Sequence, residues 1–344
     1  MLPDAARRRM KDARPPSLII EAAMPIKTAL TSLLDIEHPI LLAPMAGIAG
    51  GALASAVTNA GGLGIVGGGY GDKDWLSQQL LGAGNTRVGV GFITWSLRKN
   101  PALLDLALSH HPKAMFLSFG DIDEFAAPIK RANIPLIAQI QTLAQARKAV
   151  SDGADIIVAQ GAEAGGHGGG RSTLPLVPAV VDAVGHKVPV VAAGGIADGR
   201  GLAAALMLGA AGVLCGSLFY ASRESLTHPN NKRAAFAANG DDTIRSSAID
   251  VARGIDWPGQ WNIRTLKNPA IVQWDRDLAG LKSKVATEKP RYLQAAADGD
   301  TNVAAVIVGE AVDLIKAEQG AAEIVANMVA DATKRLAAAP QMLG

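Results

Sequence analysis

ADIIVAQGAEAGGHGGGR, residues 154–171, is the stretch on which the fold turns. It opens as a continuously apolar run and passes at Gly161 into a loop dense in glycine, with one histidine, His167, inside it. Such glycine density weakens helix and strand alike. It also lets the backbone approach a flat or charged group closely, with many N–H groups free to donate. Taken alone, the loop reads equally as a flexible surface segment with an incidental histidine. The surrounding chain decides between the two.

Downstream, LPLVPAVVDAVG (174–185) carries helical spacing, so residues 154–185 read as strand, loop, helix. The same unit recurs in both directions. Apolar runs stand at 38–45, 63–68, 87–94, 114–120, 135–140, 154–161, 189–195 and 211–217. Helical patterns follow the first seven, at 50–62, 72–83, 101–111, 123–133, 142–153, 174–185 and 198–210. Continuous rather than alternating apolar strands belong to a parallel sheet covered on both faces. Eight strand–helix units predict an α/β fold closed as a TIM (β/α)8 barrel. A doubly wound sheet is the second choice, but no GxGxxG follows the first strand.

A barrel of this kind gathers functional residues at the C-terminal ends of its strands. Met45, Gly67-Gly68, Thr94, Gln139, His167, Gly194-Gly195 and Gly216-Ser217 fall there. The last two pairs follow strands seven and eight, where barrels often hold a phosphate on backbone amides. Either pair alone reads as an ordinary turn; both in register predict an anion cradle, with the Ser217 hydroxyl as an added donor.

The other candidates read more plainly. His38 precedes the first strand, at the barrel's bottom. His110-His111 ends a helical pattern, where cations suit the helix dipole. His186 and His228 receive no role, although His228 has a place near the site's edge. Cys215 lies inside an apolar strand and reads as packed. Glu163 reads as orienting the loop or His167, or as solvated. No carboxylate pair or ligand cluster predicts a metal.

Composition narrows the classes. Lys and Arg number 33 against 31 Asp and Glu, with no basic stripe interleaved with aromatics, so nucleic acid is not an expected partner. No apolar run reaches the roughly 18 residues of a membrane helix. The single cysteine excludes an intrachain disulfide and fits a reducing, cytoplasmic setting. The N-terminus, with Arg7, Arg8, Arg9, Lys11, Arg14 and Pro15-Pro16, reads over residues 1–24 as a disordered extension, with Met24 before a more ordered pattern. Residues 25–221 form the barrel. The rhythm then breaks, and residues 222–310 read as a small helical lid bearing Trp257, Trp261 and Trp274. Residues 311–344 hold an amphipathic helix expected to pack back on the barrel.

At this point the sequence resembles the nitronate monooxygenases, formerly called 2-nitropropane dioxygenases. The resemblance is carried by APM at 43–45, GGLG at 61–64, EAGGHGG at 163–169, AAGGIADGRG at 192–201 and GS at 216–217. It covers residues 37–225 closely and continues more loosely through ARGIDWPG. FMN-dependent enoyl-acyl-carrier-protein reductases share the EAGGH block, so it speaks more to cofactor than to substrate. The resemblance implies FMN as cofactor. It puts Ala43, Pro44 and Met45 against the flavin, and Gln139 at its pyrimidine side, where some relatives carry lysine. Gln160, Gly165 and Gly166 would line the cofactor, and Gly194, Gly195, Gly216 and Ser217 would take the phosphate. His167 matches the family's catalytic histidine. It would act as a base on a nitroalkane's α-carbon or as a group orienting the nitronate, with O2 as co-substrate and a carbonyl compound and nitrite as products. The alternatives are an NAD(P)H-dependent enoyl reductase, an NAD(P)H:quinone reductase, and a flavin-binding protein without turnover. The expected partners are the small-molecule substrate and O2, with a homodimer as an open alternative to a monomer.

Overall fold

The computed structural model describes residues 26–343. The reading of residues 1–24 as an extension lies outside the described residues. Eight parallel strands form the barrel: β1 (Ile40–Leu42), β2 (Ile65–Gly67), β3 (Gly89–Ile93), β4 (Met115–Ser118), β5 (Leu136–Ile140), β6 (Ile156–Gln160), β8 (Val190–Ala193) and β9 (Gly212–Cys215). Their order is β1-β9-β8-β6-β5-β4-β3-β2. The ring closes where Leu42 N donates to Leu63 O at 2.9 Å and Leu63 N donates to Ile40 O at 3.0 Å. The predicted TIM barrel is the observed fold.

The period-2 geometry of the strands divides their apolar side chains between two cores. Leu41, Ile65, Phe116, Ile137, Ile156, Val158, Val191 and Leu214 fill the barrel interior. Ile40, Leu42, Val66, Val90, Leu117, Ile157, Val213 and Cys215 face the surrounding helices. Both faces are dry, which is why the runs are continuously apolar. A short helix that the sequence did not announce, α1 (Ala29–Leu34), closes the barrel floor by sending Leu30 and Leu34 into the interior core.

The outer helices follow the expected positions: α2 (Gly51–Asn59), α3 (Lys73–Gly82), α5 (Ala102–Ser109), α6 (Asp123–Arg131), α7 (Leu143–Ser151), α8 (Thr173–Val184) and α9 (Gly199–Met207). Side-chain caps set several starts: Asp72 accepts from Trp75 N, and Thr142 forms a capping box with Gln145. Gly61, just past α2, takes a φ of 91°, the conformation for which a glycine is placed after a helix. Gly64 has a second reason: a Cβ there would lie 1.8 Å from Ala54 O, so only glycine lets α2 seat against the barrel. Two further short helices follow strands: α4 (Thr94–Leu97), directly after β3, buries Thr94 at its start, and α10 (Ser217–Tyr220) comes after β9.

Two expectations need correction. The glycine loop is not wholly irregular, because β7 (Gly166–Gly168) forms within it. The segment after the barrel is not purely helical either. It contributes β10 (Thr243–Ser246) and β11 (Asn262–Leu266), an antiparallel pair whose β11 edge binds β7 with Ile263 opposite His167. This cap thus adds two strands to the glycine loop. Around them lie α11 (Pro229–Ala237), α12 (Ala248–Arg253), α13 (Pro269–Asp275), α14 (Leu278–Ser283) and α15 (Val285–Asp298). The helices from α12 onward share a core of Ile249, Ile271, Trp274, Leu281 and Tyr292. The last long helix, α16 (Ala321–Ala338), returns to the barrel and buries Ile324, Val325, Met328 and Val329 in the outer core. No helix among the described residues is long and apolar enough to cross a membrane.

Candidate active site

A cavity of about 190 Å3 opens at the C-terminal mouth of the barrel, beneath the cap. Every residue that the resemblance assigns to cofactor or catalysis lines it: Ala43, Pro44, Met45, Gln139, Gln160, Gly165, Gly166, His167, Gly194, Gly195, Gly216 and Ser217, whereas the strand-end pair Gly67-Gly68 does not. The lining residues come from the ends of β1, β5, β6, β8 and β9 and from the β7 loop. The other histidines lie elsewhere. His38 sits before β1 beside Glu37, and His228 caps α11 by accepting from Asn230 N at 3.1 Å. Burial pushes the Cys215 thiol up to about 12, consistent with a packed side chain. Thr94 is buried and does not line the cavity.

His167 is 8% exposed, and its Nε2 lies 2.9 and 3.0 Å from the two carboxylate oxygens of Asp250, which is 3% exposed. An ionised carboxylate only accepts, so this contact places a proton on Nε2. Among the described residues Nδ1 has no hydrogen-bond partner, which leaves its lone pair available in the neutral ring. The Trp257 ring stacks on the imidazole at 3.4 Å between centroids and 10° between planes. Phe119 meets both rings edge-on. Burial pulls the His167 pKa below the usual histidine value, and the opposing effect of Asp250 does not offset it. The ring is therefore neutral at neutral pH and able to take a proton.

A row of amides ties the histidine's backbone to the barrel and cap. Gln160 Nε2 donates to His167 O at 3.0 Å. Gln160 Oε1 accepts from Gln141 Nε2 at 2.9 Å and from Gln139 Nε2 at 3.2 Å. Gln141 Oε1 in turn accepts from Trp261 Nε1 at 3.0 Å. Gln139 thus reaches the cavity as part of a buried network in which amide orientations are fixed by mutual bonding.

At the other end, Gly194 and Gly195 take φ values of 102° and 71°, open to glycine without strain. Among the described residues the amides of Gly195 and Gly216 have no backbone acceptor. Ser217 Oγ accepts from Gly309 N at 2.8 Å, so its own O–H remains free to donate. Helix α9 does not contribute its first amides, because Asp198 already accepts from Arg200 N and Gly201 N. The anion-binding capacity resides in the two loops.

The glycine loop between these ends is held from outside. Glu163 accepts from Thr173 N and Thr173 Oγ1, so it orients the loop against α8 and not His167. Arg245 donates to Ala162 O at 3.0 Å, Ala164 O at 3.2 Å and Asn262 O at 2.8 Å. Arg264 also donates to Ala162 O, at 3.1 Å. Burial draws the Arg245 pKa down to about 10, helped by the neighbouring Arg264 charge. Arg245→Ala removes a charged donor from Ala162 O and Ala164 O in the loop, of which Ala162 O keeps Arg264, and from Asn262 O on β11. It is expected to cost roughly 2–3 kcal/mol in denaturant unfolding, with a matching loss of melting temperature.

Asp250, Phe119 and the role of Trp257 were not identified from the sequence. Asp250 lies 83 residues from His167 and meets it only because β11 docks on β7. The one available signal was the ARGIDWPG segment, which begins at Ala252, two residues after Asp250, and contains Trp257. Of the three cap tryptophans, Trp257 faces the cavity and Trp274 fills the cap core.

A barrel whose mouth joins an amide-lined cavity to a buried histidine–aspartate pair has the frame of a flavin-dependent oxidoreductase. The chain belongs to the nitronate monooxygenase family, whose model matches residues 27–84 and 94–331. It is similar to the nitronate monooxygenase npaC of Metarhizium robertsii, with 35% identity over 320 residues, 83% of this chain and 88% of that one. It is also similar to the (3aS,4S,5R,7aS)-5-hydroxy-7a-methyl-1-oxo-octahydro-1H-indene-4-carboxyl-CoA dehydrogenase of Rhodococcus jostii. Identity there is 31% over 346 residues, 90% of this chain and 97% of that one. Among solved structures, FabK from Thermotoga maritima superposes with a TM-score of 0.81 at 29% identity, covering 92% of this chain and 99% of that one.

Proposed function

We propose that the cavity binds FMN and that the protein oxidises nitroalkanes and their nitronate anions with O2 to a carbonyl compound and nitrite. The observation that carries this reading is the buried His167–Asp250 pair, which presents an unpartnered Nδ1 on the cavity wall. The residues fit a phosphorylated flat ring. Free amides at Gly195 and Gly216 and the Ser217 hydroxyl suit a phosphate. At Gly216 an added Cβ would lie 3.5 Å from the Ala43 Cβ and 3.8 Å from the Met45 Sδ, so the cradle adjoins the Ala43–Met45 wall. Gln139 supplies an amide for the ring's polar edge.

Bound there, FMN would supply the electron acceptor for the substrate carbon. The chain's part is proton transfer and positioning. Asp250 holds the Nε2 proton, so Nδ1 takes the α-proton of a nitroalkane. The imidazolium that results gains the Asp250 carboxylate as counter-ion at 2.9 Å. Trp257 and Phe119 fix the ring plane and keep water from its face. Because burial depresses the His167 pKa, the neutral base persists as pH falls. The acid limb of kcat/KM for a neutral nitroalkane is expected below about 6.5. A preformed nitronate needs no base, and its profile is expected to lack that limb.

The test is a product balance in air. With 1-nitropropane or propyl nitronate, nitrite release and O2 consumption are expected together, without NADH or NADPH. Substantial NAD(P)H oxidation with an enoyl thioester or a quinone, and no nitrite from either nitro compound, would overturn the reading in favour of a reductase. No turnover of any of these would leave a flavin carrier.

A further inference from the structure

The cavity wall carries one full positive charge among the described residues. Arg253 ends α12 one turn after Asp250 and faces the same cavity as His167. Glu163, the one carboxylate on that wall, is committed to Thr173. Among the described residues no carboxylate pairs with Arg253, whereas Arg264, on the adjoining β-ribbon, pairs with Glu310 at 2.8 Å.

The guanidinium is nonetheless ordered. It lies over the Tyr70 ring, 5.3 Å from its centroid. Tyr70 OH accepts from Trp257 Nε1 at 3.1 Å, and Trp257 is the ring stacked on His167. A cation, two aromatic rings and the base thus form one connected bracket along the wall. A half-buried guanidinium presents donors in a rigid fork matched to oxyanions, and it is costly to leave unpaired. A helix-dipole role asks only for a positive charge in the last turn, not for a side chain turned into a reaction cavity.

We infer that Arg253 is a specificity-determining residue that receives an oxyanion of the substrate, so that the site selects negatively charged carbon acids over neutral ones. The inference rests on the carbon-acid oxidase reading. The anion has two sources with the same chemistry: the nitronate oxygens themselves, or a carboxylate elsewhere on the substrate.

Two measurements on holoenzyme separate them, using Arg253→Met, which keeps apolar bulk over Tyr70, and Arg253→Lys, which keeps charge. The first is KM for propyl nitronate against 1-nitropropane. The second, which needs no turnover, is calorimetric binding of butyrate against butyramide. If the nitronate is received, Arg253→Met raises KM for propyl nitronate by about 10–100-fold. It moves KM for 1-nitropropane, which binds neutral, far less, but lowers its kcat because the same oxyanion develops as His167 takes the α-proton, and Arg253→Lys restores part of the loss. If a separate carboxylate is received, butyrate affinity falls by that factor while butyramide binding and the KM for propyl nitronate are both unchanged. Unaltered propyl nitronate KM together with unaltered butyrate binding in Arg253→Met overturns the inference. Absence of nitronate turnover in the unmodified enzyme would refute the functional reading alone, and the butyrate arm would still decide the role of Arg253.

Discussion

Replacing His167 with asparagine is expected to lower kcat/KM for 1-nitropropane by about 10²–10⁴-fold, the range a positioned general base contributes. Flavin content should not change, because the amide cradle lies at the other end of the cavity. Oxidation of preformed propyl nitronate should fall far less, since its α-proton is already gone. Asp250→Asn belongs to the same test. It removes the counter-ion for the imidazolium and frees the ring to take the other tautomer. The loss should again be concentrated in the neutral substrate. A His167→Asn enzyme that turns over 1-nitropropane at the full rate would refute the assignment of the base.

The second large effect is expected at Gly216. Its φ of −105° is accessible to any residue, and an added Cβ meets only ordinary contacts with Ala43 and Met45. Gly216→Ala should therefore fold and retain FMN. Gly216→Asp should fold as well but put a carboxylate into the cradle. At about 4 Å and an effective dielectric near 20, that repulsion is roughly 4 kcal/mol, or about a thousandfold in affinity. FMN per chain after purification and fluorescence titration of the apoprotein measure it. Native FMN affinity in Gly216→Asp would mean that the phosphate binds elsewhere. Gly194 is unsuitable for such a test. Its φ of 102° and a would-be Cβ 2.9 Å from Thr173 Oγ1 make any side chain a folding defect.

The barrel was legible because its physics is local. A strand buried on both faces must be apolar throughout, and the helix after it must carry its own cap and stripe, so each unit declares itself within about thirty residues. The Gly194-Gly195 and Gly216-Ser217 pairs after β8 and β9 were legible for the same reason: they stand directly behind their strands. What escaped notice is non-local. β7 contains two glycines and one histidine and has no strand propensity. It forms because β11, almost a hundred residues later, brings Ile263 opposite His167. The two glycines have different reasons: a Cβ at Gly168 would lie 2.7 Å from the Arg245 Nη2, whereas Gly166 takes a φ of 76° with room around it. Asp250 likewise is one carboxylate among many until α12 is docked. Phe119, with a φ of 63°, holds a conformation that no propensity assigns to a phenylalanine. Its edge-on contacts with His167, Trp257 and Trp261 are what over-determine it.

The central claim is that an electron-accepting flavin lies beside His167 and is reduced directly by a nitronate. Anaerobic mixing of the holoenzyme with propyl nitronate, followed by the visible flavin absorbance, tests it most directly. Loss of that absorbance on mixing, and its return when O2 is admitted with release of nitrite, is the predicted result. A flavin that propyl nitronate leaves fully oxidised while NADH or NADPH bleaches it would contradict the account.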